Sequence, residues 1–182
     1  VKPILETPRL ALREMSLGDL DFVAAMLAHP EVMRYYPQLY SRDEARAWIE
    51  RQLGRYARNG HGLWLVQDRA AGEPVGQVGL VLQLVDGVEE PEIGYLIHRP
   101  FWRRGLASEA ALGVRTWAFE ILGVERVISL IRPENLPSQG VARKLGMAPG
   151  KHVQFHELEH IVFSVRRPPT PAWWAGHSAI WR

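Results

Sequence analysis

The residues with the clearest chemical potential lie in EIGYLIHRPFWRRGLASEA, Glu92 to Ala110. Arg103, Arg104 and Ser108 surround Gly105, which permits a tight backbone path. The run that follows, Leu106 through Trp117, is rich in Ala, Leu and Glu at helical spacing. A helix starting there has first-turn N–H groups without intrahelical partners, and these carry the positive end of its dipole. A phosphate is a natural ligand for such a turn. The same residues also fit a plainer arrangement, a strand passing through a surface turn with two solvated arginines into an ordinary helix.

A second candidate is HELEH, His156 to His160, which matches the HExxH pattern in which two histidines on one helix face bind zinc and the glutamate acts as base. A third ligand is missing. No Asp or Glu follows Glu159, Arg166 stands six after His160, and only His177 lies downstream. The β-branched and aromatic run IVFSV instead favours a strand, with His156 and His160 in or near a hairpin turn. No metal is expected.

The elements that must position these residues follow from periodicity. Ile93, Tyr95 and Ile97 alternate with Glu92, Gly94, Leu96 and His98, and Pro100 ends the ladder because it has no backbone donor. Arg126 to Ile131 is another β-branched strand. It runs into RPENLPSQGVARKLGM, where Asn135 and Ser138 flank a helix start at Pro137 and Gly146 closes the helix. Upstream, a strand near Leu10 to Glu14 precedes a cap at Ser16 and Asp19 and a helix with the apolar stripe Leu20, Val23, Ala24 and Leu27. Ser41 with Glu44 forms a capping box for a helix through about Arg58, ended by Gly60 and Gly62. Strands at Leu63 to Asp68 and Val75 to Val85 are joined by AAGEP, and a last strand covers Ile161 to Val165. The order βααβββαβαβ implies a mixed sheet covered by helices.

This succession of strand, basic turn, long helix, strand, Asn and Ser, and a short helix ending in KLGM resembles the GNAT superfamily of acetyl-coenzyme A-dependent N-acetyltransferases, and more narrowly its ribosomal-protein N-acetyltransferase branch. The likeness runs from Thr7 to Arg167 and is strongest between Glu92 and Met147. It implies a single-domain α/β (α+β) fold: a mixed, mostly antiparallel central sheet of about seven strands, flanked by about four helices, with splayed central strands. Gly94 is a candidate for a bulge beside the splay, or simply leaves room for a neighbouring side chain. In the superfamily's cofactor loop, Gly105 and Ala107 fill the last two motif positions, while Trp102 stands where Gln or Arg is expected. That departure is typical of the ribosomal branch and removes one polar phosphate contact.

By the same resemblance, acetyl-coenzyme A is the cosubstrate. N–H groups of Arg103, Arg104, Gly105, Leu106, Ala107 and Ser108 would hold its pyrophosphate, and the strand around Ile97 would pair with the pantetheine amides. Asn135 would bond the pantetheine arm, and Ser138 would lie near the thioester sulfur. Tyr35, Tyr36 and Trp64 are candidates for the acceptor wall, although each could equally anchor the helices to the sheet.

Reaction of an amine with a thioester requires the neutral amine. A lysine-like amine with a pKa of about 10.4 would cost roughly 4.6 kcal/mol to deprotonate at pH 7, whereas an α-amine near pKa 8 would cost only about 1 to 1.4 kcal/mol. A protein α-amine is therefore slightly preferred over a small-molecule amine. Glu92 is the candidate general base, with closure of a strand end against an arginine as its structural alternative. Ser138 would stabilise the departing thiolate or, alternatively, bond local backbone. The chain has no cysteine, which removes a cysteine-based double displacement and leaves direct attack. A noncatalytic acyl-coenzyme A-binding sensor is the competing functional class.

Composition agrees. The 182 residues are 47% hydrophobic and suggest one domain over 1–167, followed by a Pro- and Trp-rich tail, 168–182. Trp173, Trp174 and Trp181 of that tail are expected to pack on the domain or at a homodimer interface. The net charge of +2 and the dispersed arginines give no argument for nucleic acid. Neither a membrane-spanning run nor a signal-peptide segment is evident, so a cytoplasmic location is the expectation.

Overall fold

The computed structural model describes residues 2–169; the Trp-rich tail and the packing expected of it lie outside the described residues. Eight strands form one sheet in the order β1-β2-β3-β4-β5-β6-β8-β7. They are β1 (Leu5–Glu6), β2 (Leu10–Arg13), β3 (Leu63–Asp68), β4 (Pro74–Val85), β5 (Val88–Ile97), β6 (Arg126–Ile131), β7 (Ala148–Phe155) and β8 (Leu158–Arg166). Every neighbouring pair is antiparallel except β5 with β6. Four α-helices cover the sheet: α1 (Leu20–Leu27), α2 (Arg42–Asn59), α3 (Leu106–Glu120) and α4 (Leu136–Lys144). No described helix is long and apolar enough to cross a membrane.

The mixed α/β architecture with four helices is as expected, with one strand more than the seven anticipated. The strand order given by periodicity lacked two. β1 has only two residues, and β7 is an edge strand whose single buried residue, Val153, leaves no apolar alternation to detect.

The two faces of the sheet bury different helices. Leu63 and Leu65 of β3 pack with α1 and α2, through Val23, Leu27, Ala45 and Ile49. Their neighbours Trp64 and Val66 point the other way and pack with Ala110, Val114 and Ala118 of α3. Close backbone approach is part of this packing: a Cβ at Gly79 would lie 2.0 Å from the carbonyl oxygen of Gly62. The capping box forms as read, with Ser41 Oγ accepting from Glu44 N–H at 3.2 Å and Glu44 Oε2 accepting from Ser41 N–H at 2.7 Å.

Candidate active site

The site begins where the sheet opens. β4 and β5 pair without interruption from Gly76↔Ile97 to Val85↔Val88, whereas β5 and β6 share a single register pair, Glu92↔Ile128. In a parallel ladder the next rung would join Leu130 N–H to the Ile93 carbonyl. Two side chains replace it. Leu130 N–H donates to Glu92 Oε1 at 3.1 Å, and the Ile93 carbonyl accepts from Ser129 Oγ at 2.8 Å. Beyond that point the strands separate into a cleft.

Strand alternation then decides which backbone groups face the gap. Ile93 and Ile97 direct their carbonyls toward it, and the Ile97 carbonyl accepts the Trp102 indole N–H at 2.6 Å. Tyr95, midway between them, therefore turns its own main-chain N–H and C=O into the cleft, where a ligand amide can meet them. The unbroken β4–β5 register corrects the expectation of a bulge at Gly94. A Cβ there would come within 3.0 Å of Leu63 Cδ2, so this glycine makes room for a neighbour.

At one end of the cleft lies the basic turn. Gly105 has φ +76° and Arg103 φ +62°, a left-handed path that sets α3 in place. The first helical bond of α3 runs from Glu109 N–H to the Gly105 carbonyl at 3.1 Å, so the N–H groups before it are free to meet an anion. Arg103 and Arg104 are exposed, Ala107 and Ser108 are half-buried, and the Leu106 side chain belongs to the core. The turn is braced from β1–β2. Thr7 Oγ1 and Arg9 Nε each donate to the Glu109 carboxylate at 2.6 Å, and Arg9 Nη1 donates to the Arg104 carbonyl at 3.0 Å. These donors outweigh the partial burial of Glu109 and hold its carboxyl below the usual glutamate range.

The other end is a cavity of about 710 Å³ on the α1–α2 side of the sheet. Glu92 projects into it from the face of β5 that also carries Leu96, and Gln83 Nε2 donates to its second oxygen at 2.8 Å. Burial pushes the Glu92 carboxyl up, although both hydrogen bonds and the nearby Arg55 work against that rise. A carboxyl placed this way can exchange a proton with a bound amine.

Asn135 and Ser138 reach the same cavity from the start of α4. Asn135 caps that helix, its Oδ1 accepting from Ser138 N–H at 3.2 Å. The Tyr95 hydroxyl, which the sequence reading missed, donates to the Ser138 carbonyl at 2.8 Å, and burial raises its pKa. Tyr35 and Tyr36 line the cavity. Trp64 does not. It is fully buried on the opposite face, edge-on to Trp117 at 4.9 Å, so its bulk serves the core, where truncation to alanine would cost ~3–5 kcal/mol.

HELEH adopts no helix. His156 and Glu157 occupy the β7–β8 turn with φ +48° and +62°, and His160 Nδ1 lies 2.9 Å from the Leu158 carbonyl. The hairpin brings Phe155, His156 and His160 to the cavity wall. Arg51 and Arg55 of α2 and Arg132 after β6 complete its charged lining, and no local pattern in the sequence announced any of the three.

The family model described as acetyltransferase (GNAT) domain matches residues 9–148. The chain is 32% identical over 146 residues to an uncharacterized N-acetyltransferase of Bacillus subtilis (strain 168), YoaA, covering 79% of this chain and 82% of that protein. The acetyltransferase structure from Agrobacterium tumefaciens str. C58 superposes with a TM-score of 0.80 at 27% identity, covering 92% of this chain and 96% of the other. RimL, a ribosomal L7/L12 alpha-N-protein acetyltransferase solved in complex with coenzyme A, shares the fold with a TM-score of 0.75 at 16% identity, over 91% of this chain and 98% of that one.

Proposed function

The chain belongs to the GNAT family of acetyltransferases, and from that premise we propose that it transfers acetyl from acetyl-coenzyme A to a primary amine by direct attack within a ternary complex, a protein α-amine being the favoured acceptor. The observation that carries this reading is the replaced rung: a half-buried carboxylate, Glu92, sits where β5 and β6 part.

The cleft suits the cosubstrate. Gly105 and the N–H groups opening α3 would receive its pyrophosphate, the main chain of Tyr95 its pantetheine amides, and Asn135 its arm. Acetyl-coenzyme A supplies the activated thioester. Glu92, as carboxylate, takes a proton from the acceptor ammonium. The freed lone pair forms the C–N bond as the C–S bond breaks; the nitrogen sheds its surplus proton, and the sulfur takes up one proton and leaves as the thiol. Ser138 stabilises charge on that sulfur, and the Tyr95 hydroxyl, donating to the Ser138 carbonyl, holds the start of α4 in place for it. An α-amine asks least of Glu92, because its ordinary pKa near 8 leaves about 1.4 kcal/mol of deprotonation cost at pH 7. RimL, a structural neighbour, is described as acting on such an amine in a ribosomal protein.

The test is thiol release from acetyl-coenzyme A with a panel of N-terminal peptides, polyamines and amine antibiotics. Turnover with an α-amine peptide is the expected result. Tight acetyl-coenzyme A binding without transfer to any member would instead indicate an acyl-coenzyme A sensor.

A further inference from the structure

The acceptor end of the cleft has a charge pattern that the transfer chemistry leaves unexplained. Arg51 and Arg55 stand one turn apart on α2, and both line the cavity that holds Glu92. Neither forms an ion pair among the described residues. Arg132, the other arginine of the lining, is paired with Glu134 at 2.5 Å. Among the described lining residues Glu92 is the sole carboxylate.

Both guanidinium groups are held in place by neutral partners. Arg51 lies 5.2 Å from the Trp48 ring centre, and Trp48 is itself fixed by its Nε1–H donating to Gln77 Oε1 at 2.9 Å. Arg55 Nη1 donates to Gln52 Oε1 at 3.2 Å, and the buried Gln52 is locked by Leu63 N–H at 3.1 Å. A guanidinium has five N–H donors, so most of them are available to a ligand. Burial and the neighbouring Arg51 and Arg58 lower the Arg55 pKa, and Glu92 offsets them only in part. The cosubstrate's phosphates do not account for the pair, because the α3 start packs on the opposite face of the sheet.

Resting on the transferase reading, we propose that the cavity selects an amine that also carries a carboxylate, which docks on Arg51 and Arg55 while the amine reaches Glu92. Arginine forks match carboxylates with two parallel hydrogen bonds. A polyamine, by contrast, would bring positive charge to a positive wall, a juxtaposition that disfavours it. The carboxylate has two sources: the α-carboxylate of a free amino acid, or the side chain of an acidic residue at a peptide's N-terminus.

Calorimetric titration of the full chain with coenzyme A bound tests this with matched probes: peptide amides starting with Glu or Gln, alanine against alaninamide, and spermidine. The charged member of at least one pair should bind roughly 10- to 100-fold more tightly than its neutral partner. Which pair shows the preference identifies the source. Arg55→Gln should abolish it and Arg51→Gln should reduce it, with coenzyme A affinity and thermal midpoint unchanged, while Arg55→Lys keeps part of it. Equal binding within both pairs, a preference that survives Arg51→Gln/Arg55→Gln, tighter binding of spermidine, or no binding of any acidic amine would overturn the proposal. Acetyl transfer followed with the same probes separates the two readings. Carboxylate preference without transfer overturns the transferase reading and leaves the anion site standing; transfer without preference does the reverse.

Discussion

The two ends of the cleft are made of different material. The α3 end is built from main chain: Gly105 and Arg103 in left-handed conformations and N–H groups that a helix start leaves unbonded. The α2 end is built from side chains, with Glu92 from β5, Gln83 from β4, Arg51 and Arg55 from α2, and the hairpin between β7 and β8. Backbone donors offer the same geometry whatever residues carry them, which suits a ligand that does not vary. Side chains can be exchanged one at a time, so the α2 end can be retuned without disturbing the α3 end. If this contrast is right, mutations at the two ends should fail in different kinetic parameters.

The largest effect is expected at Glu92. Glu92→Gln should lower kcat by about 10²–10⁴-fold with acetyl-coenzyme A affinity unchanged, as read by thiol release and calorimetry. Because burial raises this carboxyl, activity of the unmodified protein should climb with pH through a range above that of ordinary glutamate, and the variant should lose that limb. An unchanged pH profile would remove Glu92 from the chemistry. Ser138→Ala should follow, with a loss of about 10²-fold in kcat and little change in cosubstrate affinity. Full turnover in that variant would end the leaving-group role.

At the other end the order of symptoms should invert. Gly105→Val forces a branched residue into φ +76°, a cost of about 1–2 kcal/mol, so acetyl-coenzyme A affinity should fall roughly tenfold while the pH profile stays put. Glu109→Gln should produce the smallest change, about 1 kcal/mol of stability at neutral pH, since Arg9 is half exposed and its charge is screened. The sign follows from the lowered folded-state pKa of Glu109. Its contribution is present above the unfolded value of roughly 4.3 and is lost as pH falls through the folded value, so the two proteins' denaturation midpoints should converge in acid.

The same difference in material explains what was legible in the sequence. Gly105, the Ser41–Glu44 box, the Asn135 cap, the alternation of β5 and the apolar, β-branched runs of β3 and β6 are local signals, because each reports a need within a few residues. Tyr95 is, in the sequence, one more apolar position in an alternating strand, and nothing nearby reveals that its hydroxyl meets Ser138, forty-three residues on. Arg51 and Arg55 look like solvated charges on an amphipathic helix until the sheet brings them to Glu92. Trp64 shows the opposite error: an aromatic in a strand names no face, and only the packing of Trp117 against it decides.

Trp102 occupies a loop position where a polar ligand contact was expected, and its indole instead ties the loop to the end of β5 at Ile97. The stacked Arg99 guanidinium, 5.0 Å from the ring centre, adds to that tether. A loop fastened by its own side chain holds its shape before any ligand arrives. Little ordering entropy is left to lose on binding, so on the proposed function the forfeited contact is offset by preorganisation, and cosubstrate capture would be a docking event with no folding step attached.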